Sequence, residues 1–301
     1  MPAIGRVLFG ASLLGFAAVF ARFASAEATP IETSFFRMLF ALPVISLVFF
    51  KNIQWKLNPA TILAAVAGSF FAIDLILWHY AMTLTTAANA TFIIGLSPLW
   101  VALINRGLYG EPLSRQFIFG LFLSLFGALL LALKGNMVLQ LARGELVALG
   151  ASFAYAAYTL GFTRARIELK AQEALLFAVV GALTLSSLCL IPSLMSGTLQ
   201  FEDYSTKTWL SLMGLGIVVQ TLAWFIISSG LREVKSSEGS IALLMQQVAT
   251  VFLGHFLLNE RMVPMDILGS IFILTGMVLC SLSKRSQRLS STLQAPLRNK
   301  L

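Results

Sequence analysis

The second half of the chain repeats a pattern found in the first half. The spacing E-x8-G-x6-G occurs twice, 149 residues apart, at Glu111, Gly120 and Gly127 and at Glu260, Gly269 and Gly276. The tripeptide Gly10-Ala11-Ser12 recurs 140 residues later as Gly150-Ala151-Ser152. Five apolar segments lie between equivalent points. Because five is odd, a second copy threaded through a membrane takes the opposite orientation, which is the arrangement typical of secondary transporters.

Composition places the chain in a lipid bilayer. Apolar residues make up 58%, charged residues only 11%, and the mean hydropathy is +0.86, whereas soluble domains carry about 25% charged residues. The 301 residues suffice for ten helices of about 20 residues each and leave no room for a soluble domain. Lipid cannot satisfy open backbone groups, and no segment alternates as a barrel strand does. We therefore predict an all-α polytopic membrane protein, with ten transmembrane helices in two inverted five-helix repeats.

The repeat also sets the domain boundaries. Residues 1–139 are predicted to form the first five-helix repeat, 140–288 the inverted second repeat, and 289–301 a basic cytoplasmic tail. The predicted spans are Val7–Phe23, Thr33–Phe50, Ile62–Leu84, Ala87–Asn105, Phe117–Leu133, Glu145–Thr163, Ala174–Ile191, Trp209–Gly230, Ser237–Leu258 and Pro264–Ser283.

Basic residues predict the orientation. With both termini inside, the inner loops and the tail carry 15 of the 21 Lys and Arg residues. The positive-inside rule therefore predicts a multi-pass protein of the bacterial inner membrane with both termini cytoplasmic. We interpret the basic tail as a topology signal that contacts anionic lipid and not as a nucleic-acid site. The oligomeric state stays open, and a monomer is compatible with the sequence.

The N-terminal segment has two interpretations. Arg6, an apolar run and Ala24-Ser25-Ala26 imitate a signal peptide with its cleavage site. The match between Gly10-Ala11-Ser12 and the start of the second repeat favours a retained first helix instead.

Cys189 and Cys280 lie inside apolar spans, where small thiols serve as packing residues.

A family resemblance is carried by the run from Ala81 to Leu130, AMTLTTAANATFIIGLSPLWVALINRGLYGEPLSRQFIFGLFLSLFGALL. It resembles the repeat of the drug/metabolite transporter superfamily, EamA-type branch, in its central Pro98, its Glu111 and its glycine-punctuated last helix. The second copy keeps the Glu and both glycines but has Gln247 in place of Pro98. With Trp78-His79-Tyr80 in helix 3, the chain is most similar to the YddG-type amino-acid exporters. The resemblance implies ten helices, two inverted repeats and export of small metabolites.

The repeated residues are predicted to be structural. Gly120, Gly127, Gly269 and Gly276 allow close helix contact, although a moving hinge is the alternative. Helices 5 and 10 would then form the scaffold between the halves. Glu111 and Glu260 lie at helix ends, where anchoring is favoured over proton transport.

Helix 3 holds the first part of the predicted substrate site. His79 lies at mid-span, where an ionisable group is costly and faces a cavity or a partner. Its neighbours Trp78 and Tyr80 offer rings for stacking on a substrate or for attracting an ammonium group. Asp74 is one helical turn from Trp78 on the same face. We predict substrate binding by Trp78, His79 and Tyr80, with His79 and Asp74 as candidates for proton coupling; an interhelical packing role for His79 is the alternative.

Three residues of other helices complete the predicted substrate site: Trp100, Tyr158 and Gln246. Further polar or aromatic groups at depth are Ser97, Tyr155, Gln220, Trp224 and Gln247. Arg37 is predicted to reach the interface or to pair with Glu32, and His255 to lie at headgroup level. Helices 3, 4, 6, 8 and 9 thus carry the polar groups and helices 5 and 10 almost none, which predicts a central site near the midplane.

The predicted function is export of amino acids with aromatic or hydrophobic side chains by alternating access. The small-molecule substrate and the bilayer are the expected partners, and no cofactor or metal is expected. A nucleotide-sugar or lipid flippase of the same superfamily is one alternative. An intramembrane enzyme is another, although the sequence contains neither H-E-x-x-H nor G-x-S-x-G.

Overall fold

The computed structural model describes residues 2–49, 56–85, 87–110, 113–133, 143–197, 203–258 and 261–280. Its secondary structure is helical, and the described residues contain no strand, which confirms the all-α part of the predicted fold class. Glu111, Glu260, the connection at 134–142 and the tail lie outside the described residues.

We number the helices α1 to α10, one for each apolar segment. Their bounds are α1 Ala3–Ala24, α2 Pro30–Phe49, α3 Pro59–Leu84, α4 Ala87–Ile94 with Ser97–Tyr109, α5 Arg115–Leu133, α6 Arg143–Glu168, α7 Ala171–Met195, α8 Thr206–Leu231, α9 Ser236–Ala242 with Met245–Leu258, and α10 Pro264–Cys280. Seven of these are long and apolar enough to cross a membrane, whereas α4, α5 and α10 contribute shorter apolar helices. Ten crossings therefore stay a prediction.

The outer surface is apolar, as a bilayer requires. Leu47, Phe119 and Phe256 are 81%, 63% and 73% exposed. About half of the apolar stretch in each of the seven long helices is buried against other helices. Contiguous apolar surface on this scale marks an interaction with lipid or protein.

Helix α1 is interrupted at the single residue Gly15, and two further helices are broken where continuous spans were predicted. Helix α4 is interrupted at Gly95 and Leu96, and α9 at Leu243 and Leu244. The break in α4 has a local cause, because Pro98 lacks the N–H that would bond the Ile94 carbonyl. The Ser152 hydroxyl of α6 donates to that carbonyl instead, at 3.4 Å. No comparable residue explains the break in α9.

Glycines let the helices approach closely. A Cβ added at Gly68 of α3 or Gly181 of α7 would lie closer than 3.0 Å to a carbonyl oxygen of the other helix. Helices α5 and α10 pack in the same way: a Cβ on Gly120 would meet Gly276, and one on Gly127 would meet Gly269. The close helix contact predicted for these glycines is confirmed.

The contact between α5 and α10 is reciprocal. Gly120 and Gly269 are equivalent positions of the repeat, as are Gly127 and Gly276, so the repeat converts the Gly120–Gly276 contact into the Gly127–Gly269 contact. Ser124, at the centre, donates to the carbonyl of its own equivalent, Ile273, at 3.3 Å. Such self-complementary contact is what a twofold relation between two copies produces.

The first helix belongs to the packed core. Val7 and Ala11 are fully buried, and Gly10 lies against Ala223 and Ile227 of α8. The segment that imitates a signal peptide is therefore an integral element of this fold.

Candidate functional site

A cavity of about 90 Å³ lies among seven helices, α1, α2, α3, α4, α6, α8 and α9. The described residues of α5 and α10 contribute nothing to the lining, as their near lack of polar groups predicted. The breaks in α4 and α9 both border the cavity. The lining residues are Leu14, Ala17, Arg37, Phe71, Asp74, Leu75, Trp78, Ile94, Gly95, Ser97, Tyr155, Val219, Trp224, Ser240, Leu243, Leu244, Gln246 and Gln247.

The cavity lies near the middle of the helices that form it. Asp74 is ten residues from the end of α3 at Leu84, which corresponds to about 15 Å along the helix axis. That depth is about half of the hydrocarbon thickness of a bilayer. Polar groups at this depth are expensive unless they face a cavity or a partner.

Only one residue of the Trp78-His79-Tyr80 cluster lines the cavity. Trp78 does so, together with Asp74 one turn earlier, whereas Tyr80 is 50% exposed on the outer surface. Consecutive residues of an α-helix point about 100° apart. Three neighbours in sequence therefore face three different directions, and Trp78 is the one that faces the cavity.

His79 is buried beside the cavity and not among its lining residues. Its Nδ1 lies 2.7 Å from the Leu75 carbonyl oxygen of its own helix, and its ring contacts Trp78 with the centroids 4.9 Å apart. Nε2 has no hydrogen-bond partner within the described part of the chain. His79 thus supports the orientation of Trp78 through ring contact.

Trp100 and Tyr158 also lie behind the lining. The Trp100 indole donates to Ser152 at 3.1 Å, which links α4 to α6 next to the α4 break. Tyr158 is fully buried, with its ring 4.5 Å from that of Phe71 and 4.9 Å from that of Trp224. Both contacted rings face the cavity, so Tyr158 fixes the aromatic wall. Of the predicted site, Asp74, Trp78 and Gln246 are thus cavity residues.

The prediction for Arg37 is wrong. Arg37 does not reach the interface: it is 5% exposed and lines the cavity. Glu32 instead accepts hydrogen bonds from the Thr29 N–H at 2.7 Å and the Tyr204 hydroxyl at 2.6 Å. Residues five apart point about 140° away from each other on a helix, because only spacings of three and four share a face. Arg37 therefore faces the cavity while Glu32 faces Tyr204, which precedes α8.

Two contacts orient the Arg37 guanidinium. Its Nε donates to the Gln220 side-chain oxygen at 3.0 Å, and its central carbon lies 5.2 Å from the centre of the Phe71 ring. Gln220 belongs to a π-helical stretch of α8, Leu215–Ala223. π-Helical stretches are rare in proteins, and those that occur are frequently found at functional sites. Sequence reasoning noted Gln220 at depth but had no signal for this local geometry.

Asp74 is a buried carboxyl that lines the cavity. It is 5% exposed, and its Oδ1 has no hydrogen-bond partner within the described residues. No ion pair within 4.0 Å joins it to Arg37 there. Arg37 and Asp74 are thus two opposite charges that line one cavity without forming an ion pair within the described residues.

The remaining predicted residues are peripheral. His255 is exposed near the end of α9, as expected for a headgroup-level residue. Cys189 and Cys280 are free thiols, the second of them buried. Across the described ranges, no three His, Cys, Asp or Glu side chains cluster in a way that could hold a metal.

Two polar contacts join the helices at opposite ends of the bundle. At one end Arg6 of α1 forms an ion pair of 2.6 Å with Glu233, which follows α8. At the other end the Thr85 hydroxyl, which follows α3, donates to Glu145 of α6. The repeat relates these contacts to within one residue, because Arg6 corresponds to position 146 and Glu233 to position 84.

Comparisons with known proteins identify a family and similar transporters. The sequence profile of the EamA-like transporter family matches residues 1–133 and 142–282. The chain is 26% identical to an uncharacterized transporter of Archaeoglobus fulgidus, over 87% of this chain and 91% of that one. It is 26% identical to the uncharacterized transporter YwfM of Bacillus subtilis, over 94% of each chain.

A solved structure shares the fold. A crystal structure with 17% sequence identity superposes with a TM-score of 0.76, over 93% of this chain and 98% of the other. At this level of identity, the match is informative about the fold alone.

Proposed function

The chain belongs to the EamA-like transporter family and is a membrane transporter, and from this we propose that it exports amino acids with hydrophobic or aromatic side chains. The proposed path crosses the bacterial inner membrane by alternating access. In this proposal Trp78 and Gln246 contact the substrate, and Asp74 contributes a negative charge to the cavity. His79, Trp100 and Tyr158 support the cavity wall.

One observation carries the proposal: the central cavity combines both charges with aromatic rings. Arg37 and Asp74 supply the charges, and Phe71, Trp78 and Trp224 supply the rings. An amino acid with a large apolar side chain has the complementary combination of a charged backbone and an apolar end. Ligand sites are commonly apolar, with a few well-placed polar groups.

The size of the cavity favours a small substrate. A water molecule needs about 10–15 Å³ of such space, so 90 Å³ corresponds to roughly six to nine waters. This suits an amino acid and is too small for a nucleotide sugar. The flippase alternative is therefore disfavoured in this conformation.

Two features support alternating access by inverted halves. The family profile matches in two stretches, and the contact between α5 and α10 is reciprocal about Ser124 and Ile273. The related contacts Arg6–Glu233 and Thr85–Glu145 close opposite ends of the bundle. We propose that transport opens these two ends in turn about the cavity.

Counterflow in proteoliposomes tests the substrate class. A panel of amino acids is expected to show exchange for phenylalanine, leucine and similar substrates. Trp78→Ala is expected to raise the half-saturating concentration of aromatic substrates about fivefold, since a lost ring contact costs about 1 kcal/mol, and to affect alanine little. The matched control is Trp209→Ala, because Trp209 packs on Phe36 at 5.0 Å and does not line the cavity. Exchange of no amino acid would refute the proposed function.

Reporter fusions test the orientation. A reporter fused after residue 138 is expected to read periplasmic, and one fused after Lys170, between α6 and α7, to read cytoplasmic. The physical reason is the excess of Lys and Arg in the loops assigned to the inside. Alkaline phosphatase and green fluorescent protein fusions give opposite readouts at each point. The reverse pattern at both points would overturn the proposed orientation.

A further inference from the structure

We propose that the cavity recognises the two charged ends of a zwitterion through separate residues: Arg37 binds the carboxylate and Asp74 binds the ammonium group. This inference rests on the proposed function and deepens it by naming what every substrate must carry. It assigns a direct binding role to Arg37.

The Arg37 side chain is held so that its outer nitrogens stay available. Nε is bonded to Gln220, and the planar group lies over the Phe71 ring. In the described part of the chain no acceptor bonds either Nη atom. A guanidinium presents its N–H groups as a rigid fork that matches the two oxygens of a carboxylate. A fixed fork with free donors, buried at this depth, calls for an anionic ligand group.

Two further donors point to the same chemistry. The indole N–H groups of Trp78 and Trp224, both in the lining, have no acceptor within the described ranges. An indole nitrogen can only donate, and buried polar groups without partners need an explanation. An acceptor-rich ligand such as a carboxylate supplies the missing partner.

Asp74 requires a ligand group that donates hydrogen bonds and carries a positive charge. A carboxylate only accepts hydrogen bonds, and a primary ammonium group supplies three donors. Asp74 is buried, and among the described residues its Oδ1 has no hydrogen-bond partner and no ion pair joins it to Arg37. Leaving one buried charge unmatched is costly, so a ligand with both charges is favoured over a ligand with either one alone.

Gln220 is a positioning residue in this arrangement. It acts through Arg37 and comes from the π-helical stretch of α8, which packs against α2 where Gly216 approaches the Arg37 carbonyl. Replacing Gln220 frees the guanidinium to rotate and weakens only ligands that carry a carboxylate.

Binding of three matched probes to the purified protein in detergent tests the inference. The probes are L-phenylalanine, phenethylamine, which lacks the carboxylate, and 3-phenylpropionate, which lacks the ammonium group. Binding is preferred to flux because the uncharged forms of the last two cross lipid unaided. The wild type is expected to bind phenylalanine at least about tenfold more tightly than either analogue, because each analogue leaves one buried charge unmatched.

Variants that neutralise one of the two charged residues are expected to change which probe binds most tightly. Arg37→Gln should favour phenethylamine over phenylalanine, and Asp74→Asn should favour 3-phenylpropionate. Gln220→Leu should weaken phenylalanine and 3-phenylpropionate while leaving phenethylamine unchanged. Arg166→Gln is the matched control, because Arg166 is a buried arginine that bonds the carbonyls of Ser228 and Leu169 outside the cavity, and it should keep the wild-type preference.

The outcomes separate the inference from the proposed function. If the wild type binds phenylalanine but both charge variants keep its preference or lose all three probes equally, the inference falls and amino-acid transport stands. If the wild type binds neither phenylalanine nor any other amino acid, the proposed function falls and takes the inference with it. Arg37→Lys and Asp74→Glu keep the charges should the neutral variants not fold. The first should weaken the two carboxylate probes alone and the second should keep the wild-type preference, and failure of either expectation counts against the assignment.

Discussion

Gly127→Leu is expected to lower the melting temperature of the purified protein by about 10 °C. A Cβ at this position would lie 2.5 Å from the Gly269 carbonyl oxygen and 2.7 Å from the Ile273 nitrogen, and backbone atoms cannot move aside as a flexible side chain can. Overpacking of a core costs about 1–3 kcal/mol and sometimes more, and about 2–4 °C is lost per kcal/mol in a protein of this size class. Thermal unfolding in detergent, followed by size-exclusion chromatography, measures the loss.

A substitution on α10 provides a second test of the contact between α5 and α10. Gly276→Leu should destabilise the protein to a similar extent, since it faces Gly120 and Ser124 across the same helix pair. Gly107→Leu is the matched control, because a Cβ at this helical glycine meets nothing within 4 Å. If Gly127→Leu melted like the wild type yet abolished transport, the hinge interpretation of these glycines would replace the packing interpretation.

The sequence predicted well those features that depend on long, regular patterns. Apolar runs gave the positions of the helical segments, because a bilayer requires long apolar helices. The repeated glycines predicted the α5–α10 contact, and the uneven distribution of polar groups predicted that α5 and α10 stay away from the cavity. These signals average over many residues and tolerate an error of a few positions.

The sequence predicted the individual side chains less well. Periodicity placed Asp74 and Trp78 on one face, which the structure bears out, but His79 and Tyr80 were grouped with Trp78 as neighbours in sequence. Arg37 was assigned by its distance in sequence from Glu32, and the helical phase decided otherwise. The geometry around Gln220 depends on a π-helical stretch of α8, for which single residues give no recognisable signal.

The cavity changes the candidate for proton coupling. Asp74 lines the cavity, and its Oδ1 has no hydrogen-bond partner among the described residues, whereas His79 is buried behind the lining and contacts its own helix at Leu75. A proton carrier must exchange with the same compartment as the substrate, so we assign coupling to Asp74. Within the described residues, the ionisable groups that interact electrostatically with Asp74 are Arg37 of α2 and Tyr155 and Tyr158 of α6.

Asp74→Asn is therefore expected to abolish the response of transport to a pH gradient. In the wild type, exchange of one proton for one substrate molecule should drive accumulation on the acidic side by about tenfold per pH unit, because one unit of proton gradient is worth about 1.36 kcal/mol. The sign follows from the exchange: the proton runs from the acidic to the alkaline side, and the substrate runs the other way. Uptake into proteoliposomes, with and without the gradient and at saturating substrate, measures the ratio.

Counterflow of Asp74→Asn at saturating substrate separates lost coupling from lost transport, because counterflow needs no proton movement. His79→Gln should keep the gradient response, since the ring lies outside the lining. Asp266→Asn is the matched control: Asp266 is a buried carboxyl at the start of α10 that accepts from the Val263 N–H at 2.8 Å, and it is absent from the cavity wall. If transport by the wild type did not respond to the pH gradient, the protein would be a uniporter. If His79→Gln alone lost the response, proton coupling would be assigned to His79.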